Sequence, residues 1–179
     1  MPAPEPLQPK GVIIALGSNL HSAEYGTPAE ILAACLAAFP SYGIVLRRVT
    51  PVLITKHVPQ EPQPDGGGAS AEVAGSSIMP DYHNALALVD SCAADLATPA
   101  DLLCRLHEIE RDFGRTRPYL HAPRVLDLDL LVYNGLCSAA GDWPILPHPA
   151  LHTRPFVRQL LQMLAGEDDR TDSIASDTG

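Results

Sequence analysis

One segment of this chain carries the signals for both of its ends. Thr98-Pro99 opens a helix, because a threonine oxygen can accept from a free first-turn amide and proline suits the first helical position. Asp101 places negative charge at the positive end of the helix dipole, and Gly114 supplies a stop after the last turn. Between them Leu103, Leu106 and Phe113 form an apolar stripe, with Leu102 and Ile109 beside it. A helix striped in this way has to lie on a hydrophobic surface. The neighbouring segments can supply one. Val12 to Leu16 is a fully apolar run that reads as a buried strand entering a loop at Gly17-Ser18-Asn19. Thr27-Pro28-Ala29-Glu30 starts another helix, with Ile31, Leu32, Cys35, Leu36 and Phe39 at helical spacing and Pro40 as its stop. Ile44 to Thr55 is strand-like, with Pro51 marking an edge or a bulge. Tyr82 to Asp90 is a strand with Tyr82, Asn84, Leu86 and Leu88 on one face. Arg124 to Tyr133 is the last clear strand, and Pro155 to Leu164 a short final helix.

The order strand-helix-strand-strand-helix-strand is that of split βαβ folds. It predicts an α+β fold with a ferredoxin-like βαββαβ core, an antiparallel sheet with helices packed on it and covering one face. A chain of 179 residues, 46% hydrophobic, can build one such core. The expected organisation is a flexible lead over residues 1–10, one domain over 11–165, and a disordered tail over 166–179. Within the domain, residues 56–80 hold Pro59, Pro62, Pro64 and Gly66-Gly67-Gly68 and read as a long irregular loop.

A net charge of −9 argues against nucleic-acid binding, which needs a basic footprint. Five of the twelve Lys and Arg residues (Arg105, Arg111, Arg115, Arg117 and Arg124) nevertheless fall between 105 and 124, a local excess suited to an anion. The four cysteines, Cys35, Cys92, Cys104 and Cys137, form no CxxC pair and read as buried free thiols of a reducing compartment. The start of the chain lacks the layout of a signal peptide, and no apolar run nears the roughly 18 residues of a membrane span. The expectation is a cytoplasmic monomer that binds small molecules, neither nucleic acid nor membrane.

Asp127 and Asp129 carry the chemistry. On a strand both side chains point to one face, roughly 6.6 Å apart, while Leu126, Leu128, Leu130 and Val132 form the other. A bare Asp-x-Asp is more often two surface carboxylates than a metal site. Its setting here changes that balance. Two carboxylates on one side of a hydrophobic strand repel each other unless a cation sits between them, and magnesium shared with phosphates meets that need. Arg115, Arg117 and Arg124 flank the pair, and guanidinium forks match phosphate oxygens. Glu110 falls on the apolar stripe of its helix, so it either pairs with an arginine or helps build a polar site. His148 lies in the rigid Leu146-Pro147-His148-Pro149 stretch, where a lone histidine is more often structural than a phosphate contact.

Four blocks together resemble a known family: Ala15-Leu16-Gly17-Ser18-Asn19-Leu20, Pro80-Asp81-Tyr82-His83-Asn84, Pro123-Arg124-Val125-Leu126-Asp127-Leu128-Asp129, and Leu146-Pro147-His148-Pro149. In this order they are similar to the 6-hydroxymethyl-7,8-dihydropterin pyrophosphokinases of folate synthesis. The resemblance implies a ferredoxin-like core and an ATP- and magnesium-dependent enzyme, with two Mg2+ ions expected. It implies transfer of the β,γ-diphosphate of ATP to the pterin hydroxymethyl oxygen, releasing AMP. Asp127 and Asp129 match the metal-binding aspartates. Arg115, Arg117, His121, Arg124, His148 and Arg154 match the ATP side, with Arg115 and Arg124 counted as catalytic beside the aspartates. Thr55, Tyr82, Asn84 and Phe156 match the pterin side, and Glu110 a supporting polar position. The chain departs from the pattern at His121-Ala122, where the family commonly has an aromatic residue and glycine, and at Leu53-Ile54-Thr55-Lys56-His57, where a tyrosine is missing. A degenerate paralogue that binds without turnover, or another metal-dependent phosphotransferase, are the alternative readings.

Overall fold

The computed structural model of the protein describes residues 11–56, 80–115 and 124–166. The expected lead, the expected tail from 167, most of the 56–80 loop, and both Arg117 and His121 lie outside the described residues. Among the described residues, five strands and four α-helices follow in the order β1 (Val12–Ser18), α1 (Pro28–Ala38), β2 (Ile44–Val49), β3 (Leu53–Thr55), β4 (Tyr82–Cys92), α2 (Pro99–Asp112), β5 (Asp127–Tyr133), α3 (Ala150–Thr153) and α4 (Pro155–Gly166). The strands form one antiparallel sheet in the order β2-β4-β1-β5, with β3 also paired to β4. This is the ferredoxin-like arrangement expected of the element order. The region around Pro51 ends one strand and begins the next, so the segment expected as one strand is two. Both pair with β4, and the Thr50 hydroxyl accepts from the Leu86 amide at 2.9 Å across the break.

The helix ends follow local chemistry. Thr27 and Glu30 form a reciprocal capping box at the start of α1. The Thr98 side chain accepts from the Asp101 amide at 3.2 Å at the start of α2, and Gly114 takes a φ of +78° just after it, a left-handed geometry that costs glycine nothing. The buried stripe of α2 is Leu102, Leu106, Ile109 and Phe113, with Leu103 only partly buried. It is therefore centred one position away from the expected one. Against it pack Ile31, Leu32 and Cys35 of α1 and the Ile14, Leu16, Leu128 and Leu130 side chains of the sheet.

A single covered face does not describe the molecule. Ile13, Leu86, Leu131 and Val132 form a second cluster with Ala150 and Leu151 of α3 and Val157, Leu160, Leu161 and Leu164 of α4, so helices flank both faces. Val132 was expected beside Leu126, Leu128 and Leu130. A bulge changes this: Ile13 pairs with Val132 and Ile14 with Leu130, leaving Leu131 as the extra residue that turns Val132 to the opposite face. The last strand also begins at Asp127 rather than Arg124. All four cysteines are free, but only Cys35 is buried; Cys92 is half-buried, and Cys104 and Cys137 are exposed, against the expectation of four buried thiols. Among the described residues no helix is long and apolar enough to cross a membrane.

Candidate active site

A cavity of about 800 Å³ opens on the sheet face that carries α3 and α4. This volume lies within the ordinary range for a small-molecule site. Strand alternation turns Asp127 and Asp129 of β5 towards the cavity while Leu126, Leu128 and Leu130 go to the core on the other side. Tyr82 and Asn84 reach it from β4 by the same alternation, Thr55 and Lys56 from the end of β3, and Thr153, Arg154 and Phe156 from the junction of α3 and α4.

Gly17 joins the two ends of the cavity. It is in register with Asn84 on one side and Asp127 on the other. A Cβ here would stand 3.6 Å from Asn84 Oδ1 and 3.8 Å from the Asp127 Cβ, so any side chain beyond a methyl would fill the gap between those two groups. The pattern of β1 alone cannot reveal this, because it depends on which strands lie beside it.

Asn84 is buried, and its amide nitrogen donates to the Thr55 hydroxyl at 3.0 Å and to the Tyr82 carbonyl at 3.3 Å. Those bonds fix the plane of the amide and leave Oδ1 on the side of Gly17. Thr55 thus holds Asn84 as well as lining the cavity.

The carboxylate end has an asymmetric charge environment. Asp127 Oδ1 meets Arg115 Nη1 at 2.8 Å and Arg124 Nη1 at 3.2 Å. For Asp129, burial first and the Asp127 charge second push the carboxyl above its ordinary range, while His148, Arg154 and Arg124 pull it down. Arg124 and Arg154 line the cavity. His148 is not among the lining residues; its Nδ1 accepts from the Ala150 amide at 3.1 Å, which leaves Nε2 as its other ring nitrogen. The peptide before Pro147 in the same stretch is cis.

Arg115 lies behind the lining. Its side chain is buried, pairing with Glu110 as well as Asp127. Glu110 is itself buried on α2 and accepts from the Leu128 amide at 2.7 Å. The carboxylate on the apolar stripe therefore has an arginine partner and also ties the helix to β5. Arg115 Nε and Arg124 Nε are buried donors with no acceptor among the described residues. Buried donors without partners are rare in folded proteins, and an anion brought into the cavity would offer an acceptor to Arg124, which lines it. No group of three or more His, Cys, Asp or Glu side chains among the described residues is placed to hold a metal. Two oxygen donors side by side suit a hard cation that completes its shell with water and phosphate oxygens. Thr153, Lys56 and Gly17 were not singled out from the sequence as site residues; Lys56 stood next to one that was.

The chain is also similar to proteins of known description. The family model described as 7,8-dihydro-6-hydroxymethylpterin-pyrophosphokinase (HPPK) matches residues 13–166. A 2-amino-4-hydroxy-6-hydroxymethyldihydropteridine pyrophosphokinase of Haemophilus influenzae is 34% identical over 144 residues, covering 80% of this chain and 74% of that one. The protein of the same description from Pseudomonas aeruginosa is 33% identical over 159 residues, 86% of this chain and 80% of its own length. A mitochondrial folate synthesis bifunctional protein of Pisum sativum is 40% identical over 78 residues, 44% of this chain. The chain spans only 12% to 15% of the length of that protein and of the similarly matched relatives from Dictyostelium discoideum and Arabidopsis thaliana. With a family model matched across almost all of the described fold, the chain belongs to the 7,8-dihydro-6-hydroxymethylpterin-pyrophosphokinase family.

Proposed function

We propose that this chain transfers the β,γ-diphosphate of ATP to the hydroxymethyl oxygen of 6-hydroxymethyl-7,8-dihydropterin, releasing AMP, in folate biosynthesis. The observation that carries this reading is the division of one cavity into two chemically different ends. At one end stand Asp127, Asp129, Arg124 and Arg154, a set for a metal-bound polyphosphate; at the other stand Thr55, Tyr82, Asn84 and Phe156, a set for a flat heteroaromatic ring.

The fixed Asn84 amide suits the hydrogen-bonding edge of a pterin, with Tyr82 and Phe156 supplying aromatic surface. Arg124 and Arg154 bind phosphate oxygens and oppose the charge that builds on them, with His148 Nε2 as a further donor near Asp129. Arg117 and His121 are assigned to the same nucleotide on the resemblance alone. Arg115 acts one layer back, holding Asp127 and sharing its own charge with Glu110. Asp127 and Asp129 would hold magnesium, two ions in this reading, which when bound neutralises the phosphate charge and favours ionisation of the attacking hydroxyl. The pterin oxygen forms a bond to the β-phosphorus, the bond from that phosphorus to the oxygen bridging to the α-phosphorus breaks, and AMP leaves with that oxygen. The hydroxyl proton is lost to solvent. The residues named above position the reactants and stabilise charge, as in phosphoryl transfer generally. ATP and the reduced pterin are the only partners we assign, to a monomer acting in the cytoplasm.

Incubation with ATP, magnesium and the reduced hydroxymethylpterin is expected to yield AMP and a pterin diphosphate. The Asp127→Ala and Asp129→Ala variants are expected to yield none while keeping the circular dichroism of the parent. Formation of ADP, or full turnover in both variants, would remove the reading.

A further inference from the structure

β1 and β5 remain in register only as far as Gly17 opposite Asp127. Beyond that point the chain before β5 has left the sheet, yet Arg124, three residues upstream of Asp127, has to place its guanidinium at the Asp127 carboxylate. Asn19 bridges the gap. Its Oδ1 accepts from the Arg124 amide at 2.9 Å, and its main-chain N–H donates to the Arg124 carbonyl at 3.3 Å. Both main-chain polar groups of Arg124 are thereby satisfied by one residue 105 positions earlier. Asn19 is fully buried, so water does not compete for these bonds.

We propose that Asn19 is a positioning residue: its side chain and main chain replace the missing rungs of the β1–β5 ladder and set where the Arg124 guanidinium stands in the cavity. The inference rests on the nucleotide reading of that site for its consequence, but the clamp itself is independent of any ligand. Asn19 Nδ2 meets no acceptor among the described residues, so the part of the side chain that acts is the oxygen. This distinguishes the possible replacements. Alanine and leucine both remove the acceptor, leucine while keeping a side chain branched at Cγ. Aspartate keeps an oxygen at the same distance from the backbone.

Two measurements test the proposal. Hydrogen exchange at the Arg124 amide, read against that of Leu86 in the core, is expected to accelerate at least roughly tenfold in Asn19→Ala and Asn19→Leu and to stay near the parent value in Asn19→Asp. Binding of a non-hydrolysable ATP analogue with magnesium is expected to weaken about tenfold in Asn19→Leu, and this loss should vanish when Arg124→Ala is already present. Unchanged Arg124 exchange in Asn19→Leu, or the same loss of analogue binding in the Arg124→Ala background, would overturn the proposal. Should Asn19→Ala fail to fold, the leucine and aspartate variants give the same decision. The exchange pattern in the variants, together with a parent protein that makes no AMP, would reject the assigned reaction and leave the clamp standing.

Discussion

Asp127 and Asp129 are two residues apart on one strand and share a cavity, yet their charges are treated differently. Asp127 is neutralised by two arginines, whereas Asp129 has its carboxyl pushed up by burial and then by its neighbour. A carboxyl raised in the fold binds its proton more tightly there than in the unfolded chain. The folded state therefore gains as pH falls through the raised value towards the ordinary carboxylate range, and the penalty is fully present above it. Asp129→Asn should then raise the melting temperature at neutral pH by roughly 2–4 °C, the shift that about 1 kcal/mol produces in a chain of this size. The gain should disappear below the ordinary carboxylate range, where the parent side chain is neutral too. Thermal melts of the two proteins across pH check this; a lower melting temperature for Asp129→Asn at neutral pH would contradict a penalty on the charged carboxylate. Conventional sequence reading goes as far as pairing the aspartates. It cannot weigh them, because the difference arises from the depth at which the fold buries Asp129 and from Arg115 reaching Asp127 from behind.

At the scale of elements, the link between α2 and β5 is polar although both meet in an apolar layer. Glu110 accepts from the Leu128 amide and pairs with Arg115, so it joins a helix, a strand and the support of Asp127 through one carboxylate. Glu110→Ala leaves a buried arginine and a buried amide short of a partner and is expected to cost roughly 3–5 kcal/mol. Glu110→Gln, which keeps an oxygen for Leu128, should cost less. Urea denaturation at unchanged slope checks both. An alanine variant within about 1 kcal/mol of the parent would show that the link is not structural. The oddity of a carboxylate on an apolar stripe was legible from helical spacing. Which arginine answered it was not, since Arg115 comes back to Glu110 through the left-handed turn at Gly114 and the strand amide through the packing of β5 on α2, neither of which follows from periodicity. The ends of α1 and α2 lay wholly within the sequence, because a cap is made by residues three apart. The start of β5 did not, because a strand ends where its neighbour stops pairing.

Across the whole molecule, the sheet lies between two apolar layers, and both covered thiols belong to the layer beneath α1 and α2. Cys35 is buried on the inner face of α1, with its thiol pushed up by burial and by the charge of Glu110, while burial also raises Cys92. Since the thiolate is the reactive form, Cys104 and Cys137 should react rapidly with a disulfide reagent in the native state and the other two only slowly. Two fast equivalents and four after denaturation are the expected result; three or more fast ones would contradict the placement of Cys35 or Cys92. The second layer was the least legible feature of the fold. A final helix was readable from Pro155 to Leu164, but nothing in its spacing tells which face of a sheet it covers.

The sequence by itself determined the order of the βαββαβ core, the N-caps of α1 and α2, the alternation that puts Asp127 with Asp129 and Tyr82 with Asn84, and the motif blocks shared with the family. These are properties of residues a few positions apart, where backbone geometry leaves little choice. Only the tertiary structure decided that Gly17 opens the floor between Asn84 and Asp127, that the bulge at Leu131 turns Val132 to the α4 side, and that Asn19 holds Arg124. Each of those depends on partners brought together from distant parts of the chain by the burial of two apolar layers. That burial acts on surface area and is indifferent to sequence distance.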